Sequence, residues 1–188
     1  MNLYLRLIIY FCKLWCTSKR TNISVLGCST VRMHVWPNDL DFNMHMNNGR
    51  YLTVMDIGRF DFMIRTGMFK IAMKKGYGPV LGSAKVRYRL PLMPFQAYDL
   101  QTQLVYWDEK WAYFEQRFII ANGDKAGAVA AIALLKGSLF DSKTKKTVPT
   151  KDILTLMDQS EVNPAPMPEH FKHWVKAEEA LKSVTART

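Results

Sequence analysis

A chain of 188 residues has room for one hydrophobic core, and dividing it in two would leave each half small. Its 48% hydrophobic and 12% aromatic content can fill that core, which excludes a disordered segment. The formal charge of +10 asks for an anionic partner, yet the basic residues are scattered, only Lys143, Lys145 and Lys146 cluster, and no nucleic-acid-binding motif accompanies them. A phosphate-bearing small molecule, a membrane surface or a merely solvated basic face is therefore expected ahead of nucleic acid.

Cys12, Cys16 and Cys28 leave an odd thiol and show no framework spacing, so a reducing, cytoplasmic setting without a structural disulfide is expected. Residues 1–15 are rich in Leu, Ile, Tyr and Phe but interrupted by Arg6 and Lys13. That run is shorter than the roughly 20 apolar residues of a membrane span, and no small-residue cleavage pattern follows it. Two placements stay open for the amphipathic segment 1–20. It is a helix docked on the domain or a partner subunit, or one lying in a membrane interface with peripheral contact through residues 1–16.

Beyond it the chain divides by hydrophobic period. In 23–36, Val31, Met33 and Val35 alternate with Arg32 and His34, the pattern of a half-buried strand. Pro37 and Asn38-Asp39 then supply turn chemistry before a helix start. From about 47 to 75 the spacing becomes helical, with Tyr51, Met55, Gly58 and Phe62 on one side and Ile57, Phe60, Ile64, Met68 and Ile71 on another. So much of the circumference is apolar that one long buried helix is expected. Asp56 with Arg59, and Asp61 with Arg65, have the spacing of local helix pairs, a reading preferred over catalysis.

After Gly76 and Gly78, strands are expected over 84–92, 98–107, 111–120 and 126–140. Asp-Glu-Lys at 108–110 and Asn-Gly-Asp at 122–124 read as turns. Strand, long helix, then consecutive strands fit an antiparallel sheet wrapped around one helix, with a generic α+β sandwich as the rival. The expected organisation is the segment 1–20, a domain over 21–145, and an extension over 146–188 with a polar helix over 169–183. His170 and His173 stand one turn apart on that helix, but with no acidic or cysteine ligand patterned around them a surface helix is preferred over a metal site.

The string from Trp36 to Tyr51 reads Trp-Pro-Asn-Asp-Leu-Asp-Phe-Asn-Met-His-Met-Asn-Asn-Gly-Arg-Tyr. It resembles the 4-hydroxybenzoyl-CoA thioesterase type of hot-dog protein, whose pattern is Asp, a short loop, Gly-His, then an Asn pair and Tyr opening the helix. The likeness runs from about Val31 to the C-terminal helix. It implies an α+β hot-dog fold with extra terminal helices, and an enzyme that hydrolyses a fatty or aromatic acyl-CoA. By this resemblance Asp41 is the base or nucleophile, the backbone N–H of Asn48 polarises the carbonyl, and His45 stands with them in the catalytic set. Asn47, Tyr51, Met44 and Met55 fall on the substrate-binding side, shaping the loop, capping the helix and lining the acyl pocket. No metal and no cofactor are implied, coenzyme A being part of the substrate. The implied partners are acyl-CoA and further copies of the chain, as a homodimer or dimer of dimers with the pocket between subunits.

The chemistry stands beside the resemblance. Thioester hydrolysis needs an activated water or a carboxylate nucleophile, and donors for the charge that develops on the carbonyl oxygen. The first N–H groups of a helix have no internal partner and carry a positive partial charge. Asp39, Asp41, Asn43, Asn47 and Asn48 are also residues that a helix start attracts simply as caps. One departure bears on turnover: Met44 stands where the family carries Gly, which removes backbone freedom and sets a bulky side chain beside the reacting carbonyl. Two classes therefore stay open, an acyl-CoA thioesterase and a non-catalytic acyl-CoA-binding protein at a membrane surface.

Overall fold

The computed structural model describes residues 22–185 together with Arg6, Ile8, Ile9, Tyr10 and Cys12. The expectations for the rest of segment 1–20 lie outside the described residues. In chain order the elements are β1 (Cys28–His34), a single 3-10 turn (Pro37–Asp39), α1 (Asn48–Thr66), α2 (Met68–Lys75), β2 (Tyr77–Tyr88), β3 (Ala97–Trp107), β4 (Ala112–Ile120), β5 (Val129–Asp141), β6 (Lys146–Val148), α3 (Thr150–Leu156) and α4 (Glu169–Thr185). The strands form one antiparallel sheet in the order β1-β3-β4-β5-β2, with β6 added to β5. Curled around α1, this is the hot-dog arrangement. Among the described residues no helix is long and apolar enough to cross a membrane.

Alternation along the strands gives the sheet two different faces. Leu100, Leu104, Gln116, Phe118, Ala133 and Leu135 are buried on the inner face against α1, while Tyr113 and Leu134 belong to an outer cluster completed by Phe171 and Trp174 of α4. Alanines 130, 131 and 133 of β5 are buried in the same core cluster as Tyr51, Val54 and Met55 of α1.

Helix and sheet come close together at Gly58. A Cβ built there would lie 2.7 Å from Gln116 Nε2, 2.7 Å from Thr102 Oγ1 and 2.8 Å from Leu100 Cδ2, so only glycine fits without displacement. The buried Gln116 secures the contact. Its Nε2 donates to the Met55 carbonyl (3.1 Å) and to Thr102 Oγ1 (2.8 Å), and its Oε1 accepts from Arg59 Nη1 (3.0 Å).

The expected single helix over 47–75 is broken. Gly67 takes a left-handed conformation (φ 87°), donates to the Ile64 carbonyl and ends α1, and α2 continues as a separate element. The periodicity runs through the break because α2 also buries apolar residues, Met68 and Ala72. Strand β2 spans 77–88 rather than 84–92: Gly78, Pro79 and Gly82 look like loop in sequence, but Gly82 lies beneath the Trp111 ring at a register shift between Leu81 and Ser83. Strand β1 covers only 28–34 of the expected 23–36, and β5 begins at Val129 because Ala126 and Gly127 (φ 86°) belong to the preceding turn. The expected turns are present. Asp108 Oδ1 accepts from the N–H groups of Lys110 and Trp111, and Gly123 takes φ 79°. The expected helix pairs Asp56–Arg59 and Asp61–Arg65 both form, the second at 3.7 Å.

Candidate active site

The loop from Trp36 to Asn47 is held at both ends before it delivers the chain into α1. Leu40 bridges Met46, Met46 N–H donates to the Leu92 carbonyl (2.9 Å), and Asn47 N–H donates to the Asp39 carbonyl (2.8 Å). Asp39 is the organiser. Its carboxylate is 1% exposed, accepts the Trp36 N–H (2.9 Å) and pairs with Arg6 and with Arg50 Nε (3.3 Å). Arg50 in turn donates to the Asn38 carbonyl (3.0 Å), tying the first turn of α1 to the loop.

Within this frame Asp41 does not cap the helix. Its Oδ1 accepts the Asn43 N–H (2.9 Å), a local turn, and its Oδ2 lies 3.4 Å from His45 Nδ1. The cap is Asn47, whose side chain accepts from Gly49 N–H (2.9 Å). Asn48 is the first residue of α1, so its N–H has no carbonyl one turn back to bond. Its carbonyl accepts from the Tyr88 hydroxyl (3.0 Å), which fixes the end of β2 against the helix start.

Tyr51 packs edge-on against Tyr88 (5.0 Å between centroids) and Phe118 (4.8 Å). Burial, with the Tyr88 phenol beside it, pushes the Tyr51 hydroxyl up to about 12. It is a neutral donor at ordinary pH. Met44 sits in the left-handed region (φ 56°), a conformation for which glycine is the natural occupant, and its side chain points outward, 59% exposed. Met55 is fully buried between helix and sheet. The structure thus brings Asp41, His45, Asn47, Asn48, Met44 and Tyr51 to one end of α1 and leaves Met55 in the core two turns further on.

Three features of the region were not read from the sequence. The anchoring role of Asp39 and Arg50 looked like generic capping chemistry, and Tyr88 reaches the site only through the fold. The third is a cavity of about 140 Å³ beside the second half of α1, with Asp56 and Arg59 on its wall. The i,i+3 spacing of that pair could be seen in the sequence; its place on a cavity could not. Far from the site, His170 Nε2 lies 3.1 Å from Glu115 Oε2 on the outer sheet face, and no cluster of three or more metal-ligating side chains is present among the described residues.

Comparison with known proteins adds three findings. The family model described as the Thioesterase-like superfamily matches residues 35–175. Protein THEM6 of Xenopus laevis is 33% identical over 142 residues, covering 76% of this chain; the chain spans 64% of the length of that relative. Among solved structures, the Escherichia coli YbaW, described as a probable thioesterase, superposes with a TM-score of 0.62 at 23% identity, over 70% of this chain and 97% of its own. A Staphylococcus aureus protein solved in complex with CoA gives 0.62 at 14% identity, over 80% of this chain and 95% of its own. At these identities the two structures speak for the fold.

Proposed function

Because this chain belongs to the Thioesterase-like superfamily, we propose that it is an acyl-CoA thioesterase whose chemistry is carried by Asp41 and the N-terminus of α1. The observation that supports this most directly is the division of labour at the helix start. Asn47 does the capping, so the Asp41 carboxylate is not consumed by it and stays in the loop that leads into α1, with its Oδ1 on the Asn43 N–H and its Oδ2 facing His45. The thioester carbonyl oxygen accepts from the Asn48 N–H, where the helix dipole favours developing negative charge. Asp41 takes a proton from water as the water oxygen bonds the carbonyl carbon. The carbon–sulfur bond then breaks, the carboxylic acid leaves, and the proton passes to the coenzyme A thiolate. In this reading His45 orients Asp41 through the 3.4 Å contact, and Tyr51 and Tyr88 shape the wall beside the reacting group. Lys85, Arg87 and Arg89, exposed along and just past the end of β2, supply charge for the nucleotide phosphates.

The same proposal includes a second copy of the chain. β2 is a twelve-residue strand at the sheet edge with Val80, Leu81 and Tyr88 exposed, and Phe42 and Met44 of the site loop are exposed as well. A long apolar edge is a template for pairing, and a partner strand laid along it would cover both groups.

A binding-only role is the second reading. It is favoured by the engagement of Asp41 Oδ1 with the Asn43 N–H and by Met44 in place of glycine. Thiol release from acyl-CoA esters separates the two. Asp41→Asn keeps a side chain of the same shape while removing the base, and is expected to lower turnover by about a hundredfold with the thermal midpoint unchanged. Equal turnover in both proteins would remove Asp41 from the mechanism, and no thiol release from the wild type, with acyl-CoA still bound, would leave the binding role.

A further inference from the structure

The cavity and the site lie along the same helix. Residues on one stripe of a helix recur every three or four positions, and Asn48, Leu52, Asp56, Arg59, Phe60 and Met63 form such a stripe. β2 runs beside it: Tyr88 meets the helix start through its bond to the Asn48 carbonyl, and Leu81, seven residues back, lines the cavity with Phe60 and Met63. Met68, Phe114 and Ile153 also line it, the last of these on α3. Leu52, on the stripe between site and cavity, is half exposed and apolar.

Dimensions set what this path can hold. From Asn48 to Asp56, the first residue of α1 on the cavity wall, eight residues at a helical rise of about 1.5 Å give about 12 Å. Carbon–carbon bonds of about 1.5 Å meeting near 111° advance about 1.25 Å per carbon, so an extended acyl chain needs about ten carbons to reach the cavity mouth. A cavity of about 150 Å³ lined by such side chains holds one benzene, so the space of about 140 Å³ here takes about six carbons more. The charges on its wall do not ask for a charged tail. Arg59 is paired with Asp56 and donates to Gln116, so an ω-carboxylate would have to compete with partners already in place.

We propose, resting on the acyl-CoA reading above, that the substrate is an unsubstituted aliphatic acyl group of about sixteen carbons, its thioester at the start of α1 and its terminal carbons in the cavity lined by Met63, Met68 and Ile153. The lower half of α1, the break at Gly67 and helix α3 are then specificity elements.

The test uses the full chain and two series of probes, saturated acyl-CoA esters from four to eighteen carbons with benzoyl-CoA, and the matching S-alkyl-CoA thioethers, which cannot be hydrolysed. Affinity for the thioethers is expected to rise to a maximum between fourteen and eighteen carbons, and kcat/KM to follow it. Ala112 of β4 also lines the cavity, and Ala112→Leu, which places three more carbons there, is expected to lower kcat/KM for palmitoyl-CoA at least tenfold while leaving decanoyl-CoA within threefold. Ile153→Ala, which enlarges the space, moves the optimum toward longer chains. A maximum at ten carbons or fewer, a preference for benzoyl-CoA, or an unshifted profile in either folded variant overturns the proposal. If no ester is hydrolysed but the hexadecyl thioether binds more tightly than the decyl thioether, hydrolysis fails and the pocket assignment stands.

Discussion

The two ends of α1 are built on opposite principles. The N-terminal end is polar, open and held by hydrogen bonds: Asn47 caps it, Asp39 and Arg50 lash it to the preceding loop, and Met44 and Phe42 stand exposed beside it. The other end is packed mainly on apolar side chains. Phe62 and Met63 are buried with Met68, Ile153 and Leu154, and a glycine in the left-handed conformation stops the helix there. A helix start offers unpaired N–H groups only where nothing apolar covers them, whereas a space for hydrocarbon needs walls without them. In the proposed reading one helix serves two purposes by being different at its two ends.

That contrast can be broken in stages. The largest effect is expected from Asp41→Asn, and the comparison sharpens what it should look like: the loss of about a hundredfold falls equally on acyl groups of every length, since the far end is untouched. A loss confined to long chains would mean that the ends are not separate. Next comes Gly58→Ala, midway between them. The new methyl meets Gln116, Thr102 and Leu100 at under 3 Å, so a stability loss of about 1–3 kcal/mol is expected by denaturant titration. An unchanged midpoint would show that the helix can lift from the sheet without cost.

Smaller changes probe each end alone. A side-chain-bearing residue in the left-handed region costs about 1–2 kcal/mol, partly offset by the greater freedom glycine has when unfolded. Met44→Gly should therefore raise stability by no more than about 1 kcal/mol and leave turnover within threefold; a tenfold rise in rate would identify the Met44 side chain as an obstruction. The smallest effect concerns Asp61, buried in the second half of α1 and hydrogen-bonded by the Tyr10 hydroxyl, whose carboxyl burial holds above the usual range. A carboxyl with a raised folded-state value binds its proton more tightly when folded. Its stabilising contribution is present in acid and is lost as pH rises from the ordinary carboxylate range through the raised value. Asp61→Asn should flatten that decline in thermal midpoint, and an identical decline in both proteins would assign it to other groups.

The fold was legible because its signals are periodic and local. The alternation of Val31, Met33 and Val35, the turn residues at 108–110 and 122–124, and the helical spacing after Asn47 each depend on near neighbours in sequence. The site string was legible in composition, and the structure gathers most of it at one end of α1. What could not be read depends on distant parts of the chain meeting. Gln116 became an anchor only when β4 lay under Gly58, Tyr88 reached Asn48 across forty residues, and the cavity needs α1, β2, β4 and α3 together. The early start of β2 was hidden for a different reason: Gly78, Pro79 and Gly82 are tolerated because this is an edge strand, where a missing donor or side chain costs little.

Helix α4 carries a consequence of another kind. The outer face of the sheet bears Tyr113 and Leu134, with Tyr106 and Trp111 beside them, and α4 lays Phe171 and Trp174 over this patch while His170 meets Glu115 at its margin. A sheet with two apolar faces ordinarily finds a second layer from another domain or another molecule. Here the layer comes from the chain's own tail, tethered in place by the preceding residues. Its local concentration is set by the length of that connection and does not depend on how much protein the solution contains. The outer face is therefore satisfied as soon as the chain folds, at any dilution.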